Sequence, residues 1–218
     1  GICRSQLMEI EGKRGQDNYL PHLLGHEATG EVEEIGEGVT KFKKGDKVIL
    51  TWIKTLGIQS EAPRFKYNTL NINGGSVTTF SEYSVVSENR LVKLPKDVPL
   101  DLGVLFGCAL QTGAGMVYNE LKPKKEEKIL VIGLGGIGFS ALLALFELGC
   151  SEIIAIDVSA EKLEIARSLG IKNCLNGNDP DLINKIKNIY PSGIDACIES
   201  AGKTKTIEMG FRLIKNNG

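Results

Sequence analysis

The sequence predicts an α/β fold of two domains, a β-rich first half and a second half built on a parallel sheet. Up to about Cys108, short apolar segments are separated by Gly, Asn, Asp and Pro, a pattern typical of strands and turns: EVEEIGEGV, GDKVIL, FSEYSVV and NRLVKLP. From Lys128, apolar segments alternate with amphipathic ones, which predicts βα units with right-handed crossovers. We therefore place the domains at residues 1–108 and 109–218.

The composition limits the classes of function. The 218 residues are 42% hydrophobic, which is enough to bury a core. Twenty-six Lys and Arg against 27 Asp and Glu give a net charge of −1, so the chain has no overall basic character for nucleic acid or anionic lipid. We expect a small-molecule partner.

The cysteine usage predicts a reducing compartment. Five cysteines, with no CxxC pair and no secretory leader, argue against a disulfide framework and favour the cytoplasm. The uncharged segment 129–146 has the length of a minimal membrane span. Its central glycines, after a β-favouring run, instead predict a strand, a tight turn and a buried helix, and no membrane partner.

The second half also shows helix-start signals. Ser159 is expected to cap the helix SAEKLEIARSLG, and Asp179 to cap a helix with Pro180 at its first position. The helix-like segment TGAGMVYNEL is expected to pack with the second half.

The motif Gly133-Leu134-Gly135-Gly136-Ile137-Gly138 fits GxGxxG and lies between a strand and a helix. In that context Gly133 permits the tight turn, Gly135 lets the backbone approach a pyrophosphate, and Gly138 allows close packing of helix on strand. The N–H groups that open the helix, among them those of Gly136 and Ile137, would face the phosphates.

Asp157 ends the next predicted strand, where a carboxylate can accept hydrogen bonds from the adenosine ribose. A negative charge there would repel a 2′-phosphate, so the sequence predicts NAD as the cofactor.

Three residues of the first half and the boundary have the chemistry of zinc ligands. Cys3, His26 and Cys108 supply two thiolates and an imidazole, which would leave the fourth position of a tetrahedral Zn²⁺ open, as catalysis requires. They are too far apart in sequence for spacing to establish a site. A core histidine and a buried thiol are the alternative interpretations.

Together the segments GHExxGxxxxxGxxV, GICRS, GCALQTG and GLGGIG resemble the zinc-dependent medium-chain alcohol dehydrogenases over essentially the whole chain. The resemblance implies a GroES-like β domain, truncated at its N-terminus, followed by a Rossmann domain truncated at its C-terminus. We expect the chain to be part of a longer protein. Its implied activity is NAD-dependent interconversion of an alcohol and an aldehyde or ketone.

The resemblance also assigns individual roles. Cys3, His26 and Cys108 match the zinc ligands, Glu27 an acidic residue behind the zinc, and Ser5 the hydroxyl that passes on the alcohol proton. Three further matches concern the cofactor. Arg4 matches a residue that contacts the pyrophosphate, and Thr112 one that contacts the nicotinamide side. Asp157 and Lys162 match the pair that binds the ribose.

Three departures from the family pattern are visible. Residues 51–79 contain none of the four cysteines that bind a structural zinc in many members, so we expect one zinc per chain. Gln6 replaces an aspartate that commonly bonds the ligating histidine. Met8 stands where some members place a histidine at the end of the proton relay, so water or the cofactor ribose would release the proton. Family members are homodimers or homotetramers, and we expect one of these.

Two other functions remain open from the sequence. One is a zinc-free, NADPH-dependent quinone or enoyl reductase of the same superfamily, and the other is a non-catalytic NAD-binding module. Residues with simpler expected roles are the packing thiols Cys150, Cys174 and Cys197, a structural or surface His22, and Trp52 and Phe106, which could line a pocket or pack in the core.

Overall fold

A computed structural model of the chain describes residues 1–216. The chain divides into two compact units, the first covering Gly1–Ala109 and the second beginning at Leu110. The β-rich first half and the parallel sheet of the second half confirm the predicted fold class.

The first unit is built on a three-stranded antiparallel sheet of order β1-β2-β5, with a separate β3-β4 hairpin. Its elements are α1 (Arg4–Ile10), β1 (Glu27–Glu31), β2 (Lys47–Thr51), β3 (Arg64–Tyr67), β4 (Leu70–Asn73), a 3₁₀ turn (Glu88–Arg90), β5 (Leu91–Lys93), α2 (Leu100–Gly103) and a second 3₁₀ turn (Val104–Gly107). In the register of β1 on β2, Glu27 lies opposite Thr51 and Glu31 opposite Lys47. The apolar face of the sheet packs on Phe42 and Val77.

Two strand predictions in the first unit are wrong. The segment FSEYSVV forms no strand, since its serine hydroxyls bond nearby carbonyls: Ser84 Oγ donates to Thr78 O, and Ser81 Oγ donates to Tyr83 O at 2.8 Å. The segment EVEEIGEGV contributes only Glu31 to a strand, because β1 begins earlier at Glu27 and the chain turns after Val32.

The second unit is a four-stranded parallel sheet of order β8-β7-β6-β9 with helices on both faces. Its elements are α3 (Ala109–Gly115, which starts one residue before the unit), a π-helical turn (Met116–Leu121), β6 (Ile129–Ile132), α4 (Gly136–Glu147), β7 (Ile153–Asp157), α5 (Ala160–Ser168), β8 (Asn173–Asn176), α6 (Leu182–Ile189), β9 (Ala196–Glu199) and α7 (Thr204–Leu213). All four residues of β6 and all five of β7 are buried, as expected for the inner strands of a covered parallel sheet.

The helix-start predictions had different outcomes. Ser159 is the N-cap of α5, and its side chain accepts a hydrogen bond from the Lys162 N–H, as predicted. The next helix starts later than predicted, at Leu182 rather than Pro180. Asp179 instead stabilises the turn before it, because its carboxylate accepts from the Asp181 N–H at 2.8 Å.

The Rossmann-like topology gives the second unit a defined binding edge. Strand order reverses between β6 and β9, whose carboxyl ends lie side by side. Open α/β sheets bind ligands in the crevice at such a point. The glycine motif directly follows β6 and therefore lies at this edge.

Candidate functional site

The first unit brings three predicted zinc ligands together. One ligand atom each from Cys3, His26 and Cys108 lies within 4.8 Å of the other two. Cys3 is the N-cap residue of α1, His26 directly precedes β1, and Cys108 follows the turn Val104–Gly107. Cys108 is buried, whereas Cys3 and His26 are partly exposed.

Two glycines determine how these elements approach one another. At Gly107 a Cβ atom would lie 2.6 Å from both the Glu27 Cβ and the Leu50 carbonyl oxygen. The turn before Cys108 therefore packs directly on the backbone that follows His26. Gly25 has φ +91°, and a Cβ there would meet Phe80 N at 2.8 Å, so only glycine fits before His26.

The electrostatics of the cluster suit a metal cation. Burial lowers the pKa of His26 and outweighs the opposing effect of Glu27, so the ring favours the neutral form that ligates metals. Glu27 is buried, and its Oε2 has no hydrogen-bond partner among the described residues. An unpaired buried carboxylate oxygen is costly, and a cation held by the neighbouring His26 would offset that cost. Two sulfurs, one imidazole and this carboxylate thus fit a zinc ion.

Gln6 does not take the place of the missing aspartate at the His26 ring. Its Oε1 accepts a hydrogen bond from the Gly25 N–H, and its Nε2 donates to Glu9 Oε2 at 3.0 Å. Gln6 is only 6% exposed, and its bond to Gly25 is buried, while its bond to Glu9 is partly buried.

A second group of possible metal ligands lies beside Gln6. Ligand atoms of Glu9, Asp17 and His22 also lie within 4.8 Å of one another. His22 Nδ1 is 2.7 Å from the Leu23 carbonyl and Nε2 is 2.7 Å from Asp17 Oδ2. Both partners accept, so they favour the doubly protonated ring, and the pKa of His22 is raised, chiefly by the Leu23 carbonyl. These contacts are those of a structural histidine.

The second unit forms a turn suited to a phosphate group. Gly133 has φ +88°, and a Cβ there would lie 2.8 Å from Ala201 N. A Cβ on Gly138 would lie 1.8 Å from the Gly133 carbonyl oxygen, so helix α4 packs tightly on the turn. Space around Gly135 is open, since no atom lies within 4 Å of its missing Cβ. Gly136 and Ile137 then form the first turn of α4.

Asp157 is the last residue of β7 and its carboxylate lies beside this turn. Oδ2 accepts from the Leu134 N–H at 2.6 Å, and Oδ1 accepts from the Ser159 N–H at 2.8 Å. Lys162 Nζ is 3.7 Å from Oδ2. Burial raises the pKa of Asp157, but the backbone bonds and Lys162 together outweigh it, so the pKa lies below its ordinary value. The group therefore stays ionised in the folded chain.

Several residues at these sites were not predicted from the sequence. Ser200 Oγ donates to the Gly133 carbonyl at 2.7 Å and so ties the loop after β9 to the glycine turn. Glu199 accepts from the N–H groups of Ala201 and Gly202 and fixes the same loop. Their only sequence signal is their place after the fourth strand. The LFGC segment gave no indication that Gly107 allows close packing.

The other predicted site residues are in these positions. Ser5 is half-buried and Arg4 exposed, both in α1, and Thr112 is half-buried in α3. Trp52 and Phe106 are 49% and 46% exposed, so neither is a core residue.

The uncharged segment 129–146 was predicted to be a strand, a tight turn and a buried helix rather than a membrane span. It forms β6, the glycine turn and most of α4. In residues 1–216, no single helix has the length and apolar character needed to cross a membrane, although the bent pair 100–107 and 109–121 meets both criteria jointly.

Comparisons with known proteins agree with this geometry. Residues 1–96 match the family model of the alcohol dehydrogenase GroES-like domain, and residues 136–218 match that of zinc-binding dehydrogenases. A class-P alcohol dehydrogenase of Arabidopsis thaliana is 30% identical and aligns with 98% of this chain. The chain spans 63% of that relative's length.

Solved structures of alcohol dehydrogenases superpose on this chain along its length. Benzyl alcohol dehydrogenase from Acinetobacter calcoaceticus superposes on 100% of this chain with a TM-score of 0.86 and 32% identity, and the chain covers 65% of it. The apo form of zinc-dependent alcohol dehydrogenase 2 from Streptococcus pneumonia gives a TM-score of 0.80 and 29% identity, with 100% of this chain and 64% of that chain covered. With a GroES-like unit, a Rossmann-like sheet and both family models in sequence order, the chain belongs to the zinc-type medium-chain alcohol dehydrogenases.

Proposed function

We propose that the complete protein is a zinc-dependent dehydrogenase that transfers a hydride between a small alcohol and NAD. The observation that carries this proposal is the convergence of two cysteine sulfurs and one imidazole nitrogen within 4.8 Å. The chain spans about two thirds of the length of its relatives, so the activity belongs to the complete protein.

Cys3, His26 and Cys108 would hold one zinc ion. A bound zinc supplies a Lewis acid that favours loss of the alcohol proton. Two thiolates balance the charge of the ion, and the carboxylate of Glu27 adds negative charge behind it. Residues 51–79 contain no cysteine, which supports a single zinc per chain.

Ser5 would take the hydroxyl proton of the alcohol, because its hydroxyl can both accept and donate a proton. The Met8 thioether cannot relay a proton, so release would proceed through water or the cofactor ribose.

The second unit would hold the dinucleotide through its backbone. The N–H groups of Gly135, Gly136, Ile137 and Gly138 open helix α4, where the helix dipole favours phosphate. NAD, when bound, supplies the hydride acceptor. Pyrophosphate binding by Arg4 and the nicotinamide contact of Thr112 rest on the family resemblance alone.

Asp157 would select NAD over NADP. Its oxygens accept backbone hydrogen bonds from Leu134 and Ser159, and the carboxylate has further lone pairs that a ribose hydroxyl could use. Its lowered pKa keeps the group negative, and a 2′-phosphate would be repelled. Lys162 would stabilise that charge and bond the ribose alongside it.

We further propose a cytoplasmic enzyme that acts as a homodimer or homotetramer. All five cysteines are free, which suits a reducing compartment. The assembly can be measured by light scattering of the complete protein.

The activity is tested by following NADH absorbance with a panel of primary and secondary alcohols. We expect turnover with NAD, weaker turnover with NADP, and loss of turnover to background in Cys108→Ala. Cys174→Ala is the matched control, because Cys174 packs in a buried apolar cluster of the second unit and is not one of the candidate zinc ligands, and it should retain activity.

Two results would contradict the proposal. Alkene reduction with NADPH by a zinc-free protein would indicate the reductase alternative. NAD binding without alcohol turnover, unchanged in Cys108→Ala, would indicate a non-catalytic module.

A further inference from the structure

The side chain of Gln6 connects two of the candidate zinc ligands. Gln6 lies in the first turn of α1, three residues after Cys3, and its N–H donates to the Cys3 carbonyl at 3.0 Å. At its other end, Oε1 accepts from the N–H of Gly25, the residue before His26. One buried amide thus spans from the helix that carries Cys3 to the peptide that leads into His26.

The Gly25 peptide is a critical place for such a contact. Gly25 has φ +91°, a conformation that residues with side chains rarely adopt, and its missing Cβ would lie 2.4 Å from Thr79 Oγ1. The residue has no side chain of its own to hold it. The orientation of the Leu24–Gly25 peptide determines where the His26 ring is carried. The Leu24 carbonyl of this peptide accepts from the N–H groups of Thr79 and Phe80, and Gln6 holds its N–H side.

The amide can adopt only one orientation. Gly25 N–H is a donor and needs the amide oxygen, while Glu9 Oε2 is an acceptor and needs the amide nitrogen, which lies 3.0 Å away. Glu9 is itself held by charged neighbours: its Oε1 is 3.6 Å from His22 Nε2 and its Oε2 is 3.9 Å from the Arg14 guanidinium. An acidic residue at position 6 would instead face the Glu9 carboxylate.

We infer that Gln6 is the positioning residue of the zinc site, setting the separation of Cys3 and His26 through the Gly25 peptide while Glu9 orients its amide. This inference rests on the proposed zinc site and deepens it. The aspartate that commonly stands at this position in the family bonds the histidine ring, whereas Gln6 in this chain contacts the backbone before it.

The test exchanges the donor and the acceptor of the Gln6–Glu9 pair. Gln6→Glu is nearly isosteric and keeps the acceptor for Gly25, but it sets two carboxylates against each other. The double variant Gln6→Glu with Glu9→Gln restores both hydrogen bonds and the net charge of the pair. Gln16→Glu, at an exposed glutamine in the same segment, is the matched control.

The complete protein is titrated with Zn²⁺ against a chromophoric chelator, and its Co²⁺ form is compared by the visible d–d spectrum. We expect Gln6→Glu to weaken zinc binding by about 10–100-fold, the usual cost of losing a residue that orients a metal ligand. Its Co²⁺ spectrum should shift. The double variant should recover most of the affinity and the original spectrum, and Gln16→Glu should match the parent.

Wild-type affinity and spectrum in Gln6→Glu would overturn the inference, as would a double variant no better than the single one. If Gln6→Glu does not fold, the double variant alone decides, since parent-like zinc affinity supports the inference and weakened affinity overturns it. Failure of the proposed function gives a different result, because the parent protein would then bind no zinc and the inference would fall with it.

Discussion

At the scale of single residues, glycines determine both candidate sites. A Cβ on Gly107 would lie 2.6 Å from Glu27 Cβ, and one on Gly138 would lie 1.8 Å from the Gly133 carbonyl. The glycine motif in the second unit was predictable, because its spacing between a strand and a helix is a known pattern. Gly107 was not, because a glycine needed for close packing looks like any other glycine in a sequence.

The candidate zinc ligands show another limit of sequence reasoning. The residue types of Cys3, His26 and Cys108 suit zinc, but nothing in their separation along the chain encodes convergence. The family resemblance supplied the grouping. The role of Gln6 could not be predicted either, since its partner Gly25 has no side chain that a pattern could reveal.

The thiols are expected to differ in reactivity. Burial raises the pKa of Cys197 to about 12, and it also raises the pKa of Cys150 and Cys174. Thiolates are the reactive form, so these three should resist iodoacetamide at pH 7.5 in the folded protein. Cys3 is partly exposed and should be alkylated after zinc is removed, but protected when zinc is bound.

Peptide mass spectrometry measures these rates, with urea-denatured protein as the control in which all five thiols react. Alkylation of Cys174 as fast as Cys3 in the metal-free folded protein would contradict the assignment.

At the scale of elements, the second half was predicted far better than the first. Strands β6 and β7 are buried along their whole length and read as continuous apolar runs. The hairpin of β3 and β4 was missed. Its strands RFKY and LNIN do alternate polar and apolar residues, but each is only four residues long, and all four residues of β3 are exposed.

Residues 51–79, the segment without structural-zinc cysteines, contact the turn Glu88–Arg90. The Glu88 carboxylate accepts from the N–H groups of Thr40, Lys41 and Ile58, at 2.7 to 2.9 Å. The Asn89 N–H donates to the Ile58 carbonyl at 3.2 Å. A buried carboxylate thus connects two loops within this unit.

We expect Glu88→Gln to lower the melting temperature at pH 7 by several degrees, because the amide lacks the negative charge that these N–H groups favour. The bonds from Ile58, Lys41 and Thr40 hold the pKa of Glu88 below its ordinary value of 4.5. A lowered folded-state pKa stabilises the protein above the unfolded pKa, and the gain is lost as pH falls through the folded value.

The melting temperature should therefore fall less steeply below about pH 4.5 in Glu88→Gln than in the parent. Glu37→Gln, at an exposed glutamate, is the control. Parallel curves for parent and variant across that range would refute this role.

At the scale of the whole molecule, the two units differ in how they are stabilised. The second has buried clusters on both faces of its sheet, including Leu145 and Ile153 on one face and Ile154 and Ile186 on the other. The first has a smaller described cluster around Phe42, Val48, Leu50 and Val77. Zinc bound by Cys3, His26 and Cys108 would link α1, the start of β1 and the turn before α3, so it should stabilise the first unit in particular.

The most direct test of this account is the number of zinc ions bound per chain, measured by native mass spectrometry of the complete protein after zinc loading and buffer exchange. The parent and Cys174→Ala should carry one zinc, and Cys3→Ala, His26→Ala and Cys108→Ala should each lose it. A parent protein without zinc, or a zinc ion retained in all three ligand variants, would contradict the central claim that these residues form the metal centre.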